Sequence, residues 1–258
     1  MIPMKIVDVH AHLDFEDYHA DIDILTRKWA QEGVVSVVSN SVHKQSCVKN
    51  LELAKKYPLI RPAFGIYPTH CAGLHEEEFD AVLEFIRKQK MIAVGEVGLD
   101  YAVSDENPEP EAAKPVMKRC FEEFIHLAEK KKIPIIVHSR KAELEAIEML
   151  ESSSTKKIVM HCFSGRKHLV KRIVDNGWYL SIPCTVTRSQ QFQENVIIQD
   201  LSKILTETDA PYLSPYPDIH RNEPSFIIES LKKIAELKRM DVIEVANNVY
   251  KNYQDLFL

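Results

Sequence analysis

The sequence predicts an α/β protein, a single (β/α)8 or TIM barrel, from three features of its 258 residues. Short apolar runs rich in β-branched residues alternate along the chain with segments whose apolar spacing is helical. No Pro/Ser-rich linker and no low-complexity segment interrupts the alternation, and the length is typical of one such barrel. We therefore expect one domain over residues 1–258, with an open doubly wound sheet as the alternative.

Eight apolar runs are predicted as strands. They cover residues 7–12, 34–39, 60–64, 91–94, 133–137, 158–160, 178–182 and 204–205. The intervening segments are predicted as helices over residues 21–31, 45–56, 76–89, 115–131, 142–151, 167–176 and 190–200. Two more helices, at about 224–238 and 241–250, follow the last strand, and the acidic stretch 101–113 is predicted as a long loop beside the mouth of the barrel.

The composition is that of an ordinary soluble globular protein, with 45% hydrophobic and 28% charged residues. The formal net charge of -5 argues against an extended basic surface for nonspecific nucleic-acid binding, although it is compatible with a local basic patch. Five scattered cysteines without a Cys-x-x-Cys pair predict neither a disulfide framework nor a thiolate zinc site. With no signal segment and no apolar stretch of membrane-spanning length, we expect a cytoplasmic protein, and no obligate protein partner is evident.

Six side chains suited to metal binding fall at the ends of predicted strands. His10 and His12 are two residues apart, so on a strand their side chains leave the same face. Taken singly, a His or Asp at a strand end is more often a hydrogen-bonded cap than a ligand. In a barrel, however, all these strand ends meet at one mouth. The sequence therefore predicts a metal site formed by His10, His12, Glu96, His138, His161 and Asp209.

Four imidazoles and two carboxylates suit two divalent cations, because imidazole favours zinc, iron or manganese and carboxylates also accept magnesium and can bridge. Glu96 lies on the fourth strand, between the first-strand pair and the later histidines, and is the candidate bridge. Two such metals can polarise a phosphoryl or carbonyl oxygen and lower the pKa of water. The predicted reaction class is metal-assisted hydrolysis.

Several motifs in this order resemble those of the TatD family of metal-dependent deoxyribonucleases, which are amidohydrolase-like TIM barrels. They are His10-Ala11-His12, Gly95-Glu96-Val97-Gly98-Leu99-Asp100, Val137-His138-Ser139-Arg140, His161-Cys162-Phe163-Ser164-Gly165, Glu207-Thr208-Asp209-Ala210-Pro211-Tyr212-Leu213 and Arg221-Asn222-Glu223-Pro224. The resemblance spans nearly the whole chain and implies a two-metal mouth.

The resemblance also implies roles for single residues. His10, His12, Glu96 and Asp209 would hold one metal ion, and Glu96, His138 and His161 the other, with magnesium, manganese or zinc as the cation. Glu96 and Asp209 would be catalytic, Asp209 by orienting or deprotonating the attacking water. The expected substrate is DNA, with nucleotides removed from the 3′ end.

The chain departs from the family pattern after the third strand. Family members often read Gly-x-His-Pro-His there, whereas this chain reads Gly65-Ile66-Tyr67-Pro68-Thr69-His70, so a tyrosine replaces the first histidine. His70 can still contact a phosphate or protonate a leaving oxygen. Arg140, after the fifth strand, is the other predicted substrate contact, because an arginine can grip a phosphate with two hydrogen bonds. Lys141 and Lys167 open helices and are assigned to the solvated surface.

Two other functions compete with the nuclease. The same activated water can attack a carbonyl, which makes an ester or amide hydrolase the alternative, including a D-aminoacyl-tRNA deacylase. The substrate of that alternative would be an aminoacyl-tRNA, whereas RNA in place of DNA stays an open alternative for the nuclease. A barrel that only binds nucleic acid or a protein is the third hypothesis, and the presence of all six ligand types argues against it.

Overall fold

The structure is a computed structural model and describes residues 4–104, 108 and 110–258. Eight strands form one sheet whose spatial order follows the chain order, and every neighbouring pair is parallel. The strands are β1 Ile6–Ala11, β2 Val34–Asn40, β3 Ile60–Phe64, β4 Ala93–Asp100, β5 Ile135–Arg140, β6 Ile158–Met160, β7 Tyr179–Pro183 and β8 Ile204–Glu207.

Helices follow the strands and cover the outside of the sheet. The α-helices of the described residues are α1 Glu16–His19, α2 Ile22–Gln31, α3 Lys44–Lys56, α4 Pro68–Ala72, α5 Glu76–Lys88, α6 Pro110–Lys131, α7 Glu143–Glu151, α8 Lys167–Asp175, α9 Gln190–Ile198, α10 Ile227–Lys238 and α11 Val242–Phe257. Short 3-10 helices lie at Cys184–Thr187, Leu201–Lys203 and Pro224–Phe226. Within the described part of the chain, no helix combines the length and the apolar character needed to cross a membrane.

The sheet closes between its first strand and the segment that follows its last strand. The backbone N–H of Asp209 donates to the carbonyl of His10 at 2.8 Å, and that of His12 donates to the carbonyl of Ala210 at 2.7 Å. Closer to the amino-terminal ends of β1 and β8, the hydroxyl of Thr206 donates to the carbonyl of Val7 at 2.7 Å. The predicted TIM barrel is confirmed, and the open doubly wound alternative is wrong.

The barrel wall is buried on both faces, as expected of parallel strands that helices cover from outside. Every residue of β1 and of β4 is buried. Outside the wall, the largest buried side chains include Trp29 on α2 and Phe124 on α6. This rigid frame places the carboxyl ends of all eight strands around one mouth.

Strand β4 is longer than predicted, so Glu96 lies within the strand and not after its end. The pairing of β4 with β5 shifts register between Val94 and Val97, and such a bulge re-aims the side chain it contains. Further along, Gly98 has φ +140°, and a Cβ there would lie 2.0 Å from the carbonyl oxygen of His138. Only glycine allows β4 to run this close to β5.

Other boundaries also differ from prediction. Helix α6 begins at Pro110, because a proline fits the first position of a helix, so the predicted loop 101–113 is too long and the predicted start at 115 too late. Residues 105–107 and 109 of that loop lie outside the described residues. Helices α1 and α4 were not predicted, and α11 continues to Phe257 instead of ending near residue 250.

Candidate active site

The barrel brings the six predicted metal-binding side chains to one end of its interior. His10 lies in β1, Glu96 in β4 and His138 in β5, each pointing inward from its strand. The other three follow strand ends: His12 comes after β1, His161 after β6 and Asp209 two residues after β8. All are buried except Asp209, whose side chain is 18% exposed.

Four donor atoms from these residues surround one point. Nε2 of His10 lies 3.2 Å from Nε2 of His12. Oε2 of Glu96 lies 3.4 and 3.5 Å from these two nitrogens, and Oδ1 of Asp209 lies 3.5 and 3.4 Å from them. Four tetrahedral donors, each ~2.0–2.1 Å from a central zinc ion, are themselves ~3.3–3.4 Å apart. The separations therefore fit a cation held by the two imidazole nitrogens together with either carboxylate oxygen.

The other carboxylate oxygen of Glu96 faces a second group of histidines. Oε1 lies 2.8 Å from Nδ1 of His138 and 3.7 Å from Nε2 of His161. Both histidines and Glu96 offer ligand atoms close enough to hold an ion together. Because its two oxygens point to different groups, Glu96 has the orientation that a bridging ligand requires.

Carboxylates around the imidazoles attract positive charge to this place. Burial lowers the pKa of His12, but Asp209 and Glu96 outweigh burial and raise the pKa to about 9. Burial also opposes a charge on His161, yet Glu207 raises its pKa to about 10. For Glu96, burial raises the pKa, and the neighbouring histidines bring it well below its usual range. A site that draws protons in this way suits a metal cation, which would take the place of those protons.

His10 behaves differently from the other three histidines. Burial, together with repulsion from His161, lowers its pKa, so the ring is neutral. Its ring stacks on that of His161 with centroids 3.6 Å apart. Nδ1 of His10 is a buried atom without a hydrogen-bond partner among the described residues. A neutral imidazole whose Nε2 faces the cluster is the form in which histidine binds metals.

Each of the other three histidines is oriented by a hydrogen bond from its outward-facing nitrogen. Nδ1 of His12 donates to the carbonyl of Asn40 at 3.0 Å, and Nδ1 of His161 donates to Glu207 at 2.8 Å. Nε2 of His138 donates to Oδ2 of Asp100 at 3.2 Å. Such partners fix the ring that a metal would use.

The carboxylates that perform this orienting role, Glu207 and Asp100, were not predicted as site residues. Glu207 is the last residue of β8, and Asp100 is the last residue of β4, so their positions at strand ends were an available signal. Asp8 was missed as well, although it precedes His10 by two residues and so shares its strand face. Fully buried, Asp8 accepts hydrogen bonds from the backbone N–H of His10 and from Thr208, and burial raises its pKa to about 8.

Asp209 owes its position to an unusual backbone conformation. Its φ is +57°, in the left-handed region that aspartate tolerates better than most residues. Its N–H closes the barrel on His10, and its carbonyl accepts from Tyr212 at 2.9 Å. Burial raises the pKa of Asp209, but His12 and the other histidines bring it below its ordinary value. The carboxylate is thus ionised and points into the cavity.

A cavity of about 440 Å³ opens above the cluster. Both predicted substrate contacts line it, together with Tyr67 and the exposed Tyr212. Nδ1 of His70 donates to the carbonyl of Val42 at 2.9 Å, so Nε2 is the nitrogen available to a ligand. The side chain of Arg140 is 57% exposed, with Nε 3.8 Å from Asp100.

Tyr67, the residue that departs from the family pattern, contacts the predicted metal cluster. Its hydroxyl donates to Oδ2 of Asp100 at 2.7 Å and lies 3.1 Å from Nε2 of His138. By contrast, Cys162 follows His161 without joining the chemistry, because burial raises the pKa of its thiol well above the usual value.

Known proteins resemble this chain in sequence and in fold. The model of the family described as TatD related DNase matches residues 7–258. An uncharacterized metal-dependent hydrolase, YabD of Bacillus subtilis, is 30% identical over 98% of each chain. The 3'-5' ssDNA/RNA exonuclease TatD of Salmonella typhimurium is 26% identical over 97% of this chain and 98% of its own. The crystal structure of the TatD homologue YjjV from Escherichia coli superposes with a TM-score of 0.89, at 25% identity and 99% coverage of both chains.

Proposed function

The chain belongs to the family of TatD-related DNases and is a metal-dependent hydrolase, and we propose that it cleaves the phosphodiester bonds of DNA from the 3′ end. The observation that carries the proposal is that Nε2 of His10 and Nε2 of His12 lie 3.2 Å apart, with one carboxylate oxygen of Glu96 and one of Asp209 each 3.4–3.5 Å from both nitrogens. The 3′-to-5′ direction is supported by the name of the Salmonella relative.

We infer that two divalent cations, magnesium, manganese or zinc, are held here. His10, His12, Glu96 and Asp209 would hold one of them, and Glu96, His138 and His161 the other. When bound, such ions supply Lewis acidity towards a phosphoryl oxygen and lower the pKa of nearby water. The protein contributes ligands whose rings are already oriented, so little reorganisation is needed when an ion enters.

Asp209 is the proposed proton acceptor of the attacking water. It is the one member of the cluster whose side chain is partly exposed, and it borders the cavity where a substrate would lie. Its lowered pKa keeps the carboxylate ionised near neutral pH, as a general base requires. Glu96, buried between the two histidine groups, is proposed to act through the metals and not as the base.

The remaining cavity residues are proposed to hold the end of a strand. Arg140 and His70 stand at the rim, where a guanidinium and an imidazole can donate to phosphate oxygens. Phe15 and Tyr212 line the same cavity with ring centroids 6.2 Å apart, and aromatic faces of this kind stack on bases. A cavity of about 440 Å³ is at the small end for ligand sites, which favours a strand end over a continuous duplex.

The test is digestion of single-stranded DNA labelled at its 5′ end by the wild type and by Asp209→Ala, after chelation and addition of magnesium, manganese or zinc. We expect stepwise shortening from the 3′ end by the wild type alone, with both proteins giving the same circular dichroism spectrum. Absence of DNA cleavage with every metal would contradict the proposal. In that case aminoacyl-tRNA esters are the next substrates to test.

A further inference from the structure

We propose that a surface leading away from the active-site cavity past Lys141, Arg166 and Lys171 binds the phosphate backbone of the single strand whose end is cleaved. We call these three residues the basic track. The inference rests on the proposed function, since it concerns the part of the same nucleic acid that lies outside the cavity.

The basic track begins beside the active-site cavity. That cavity is lined by Asp100 and Arg140, and the residues that follow them, Tyr101 and Lys141, line a second cavity of about 680 Å³. Arg166 lines this second cavity and also a third one, of about 770 Å³. Lys171 lines the third. A strand that leaves the active site past Arg140 would therefore meet a basic residue in each of the next two cavities.

The positive charges of the track are not neutralised by nearby carboxylates. In residues 4–104, 108 and 110–258, Lys141, Arg166 and Lys171 form no ion pair, while the neighbouring Lys167 pairs with Glu194 at 3.1 Å. Three glutamates line the second cavity, and two of them face other cations, whereas Glu143 forms no ion pair among the described residues. Glu145 pairs with Lys118, and Glu148 faces Arg172 at 3.8 Å. With only Glu143 unpaired beside them, the three basic residues of the track retain a positive surplus on a chain whose net charge is -5.

Arg166, one residue of the track, lies at the amino-terminal end of a helix, where positive charge is unfavourable. Helix α8 begins after Arg166, and its first turn contains Lys167 and His168 without any acidic residue. The amino-terminal end of a helix carries partial positive charge and is normally complemented by acids, as at α5 with Glu76, Glu77 and Glu78. Cations gathered at such an end indicate an anionic ligand, and a polyphosphate chain supplies charges at regular intervals along the track.

The sequence predicts that Lys141 lies at the solvated surface. This is compatible with the proposed role, because a side chain that binds a phosphate backbone is exposed when the ligand is absent. The overall negative charge of the chain is also informative. It opposes nonspecific binding elsewhere, so the strand is attracted mainly to this side of the mouth.

The experiment measures the binding of two fluorescent ligands with a chelator present, so that no cleavage occurs. One is a single-stranded DNA of about ten nucleotides, which is within the usual site size of single-strand grooves, and the other is a dinucleotide. Wild type is compared with the triple variant Lys141→Gln/Arg166→Gln/Lys171→Gln. The matched control is Lys55→Gln/Lys90→Gln/Lys130→Gln, which removes three exposed lysines that lie at or just beyond the carboxyl ends of helices, towards the opposite end of the barrel.

We expect the track variant to bind the longer strand about tenfold to a hundredfold more weakly at about 0.1 M salt. The logarithm of the association constant should also fall less steeply with the logarithm of the salt concentration, the slope being smaller in magnitude by about 2. Binding of the dinucleotide and the behaviour of the control should match the wild type. Equal loss in both triple variants, or no loss in the track variant, would overturn the proposal. Displacement of the strand by polyglutamate of equal charge as effectively as by DNA would also overturn it, in favour of an acidic protein.

Hydrolysis of bis(para-nitrophenyl) phosphate separates this proposal from the proposed function. The small diester does not reach the track, so with added metal the wild type and the track variant should hydrolyse it equally. A wild type that hydrolyses neither this diester nor DNA would defeat the proposed function, whereas the binding measurements would still decide whether the track exists.

Discussion

His161 donates its Nδ1 hydrogen to Oε2 of Glu207 at 2.8 Å, and this bond connects the ends of β6 and β8 across β7. Glu207 accepts two further hydrogen bonds, from the N–H of Cys162 at 2.9 Å and from the hydroxyl of Ser181 at 2.5 Å. With its carboxylate held from three sides, Glu207 fixes the ring of His161 so that Nε2 faces Glu96.

Glu207→Gln should lower metal affinity about tenfold to a hundredfold. The glutamine side chain has no negative charge, and its NH2 group would face N–H or O–H groups that now donate to Glu207. Competition with a chromophoric chelator measures the affinity. Glu223→Gln is the matched control, since Glu223 is also buried and accepts from Trp29 and Lys28 instead of a histidine. Equal affinities in Glu207→Gln and wild type would show that this bond does not orient a ligand.

Tyr67→Phe should weaken binding of the ion proposed at His138 and His161, by about tenfold, because it removes the hydroxyl that donates to Asp100 beside His138. Titration with cobalt(II), followed by its visible absorption, reports the geometry and affinity of that ion without reference to activity. Tyr57→Phe, which removes a comparable bond to Asp23 at 2.8 Å, should leave the spectrum unchanged. A normal spectrum for Tyr67→Phe would make the tyrosine a substrate contact only.

Removal of metal should lower the melting temperature. An ion at a concentration about 100 times its Kd stabilises the folded state by ~2.7 kcal/mol, which corresponds to about 5–10 °C for a chain of this size. Thermal denaturation with chelator, and then with each metal added back, measures the shift. Glu96→Gln should lose most of the added stability, since Glu96 faces both groups of histidines. No shift with magnesium, manganese or zinc would argue against the metal site.

Arg140→Ala should reduce kcat/KM for DNA about tenfold while leaving the metal content intact, because the exposed guanidinium lines the cavity without contacting the metal cluster. Steady-state kinetics and metal analysis of the same preparation are the measurements. Arg140→Lys keeps the charge but not the two parallel donors, and we expect an intermediate loss. Unchanged kinetics in Arg140→Ala would remove this residue from the site.

Gly98→Ala should destabilise the protein by at least ~2 kcal/mol, because the added Cβ would lie 2.0 Å from the carbonyl oxygen of His138. Gly177→Ala provides the control. Gly177 also has a positive φ, +68°, but a Cβ there meets nothing within 4 Å, so only the cost of the left-handed backbone, about 1–2 kcal/mol, applies. Urea denaturation measures both, and a larger loss in Gly177→Ala would contradict the proposed close approach of β4 and β5.

The sequence alone determined the class of the fold and the candidate ligands. Side chains alternate between the two faces of a strand, so His10 and His12 necessarily share a face. Alternating strands and helices lead to parallel pairing through right-handed connections. Once the strands are parallel, their carboxyl ends meet at one mouth. For this reason the six side chains at Glu96, Asp209 and the four histidines could be grouped without coordinates.

The tertiary structure decided which atoms face each other. The bond between His161 and Glu207 joins residues 46 apart in the chain and depends on the register of three strands. In the same way, one oxygen of Glu96 faces each group of histidines only because β1, β4 and β5 end around the same mouth, and the contact of Tyr67 with Asp100 depends on where α4 begins. Pairings of this kind arise from barrel closure, which local residue preferences do not encode.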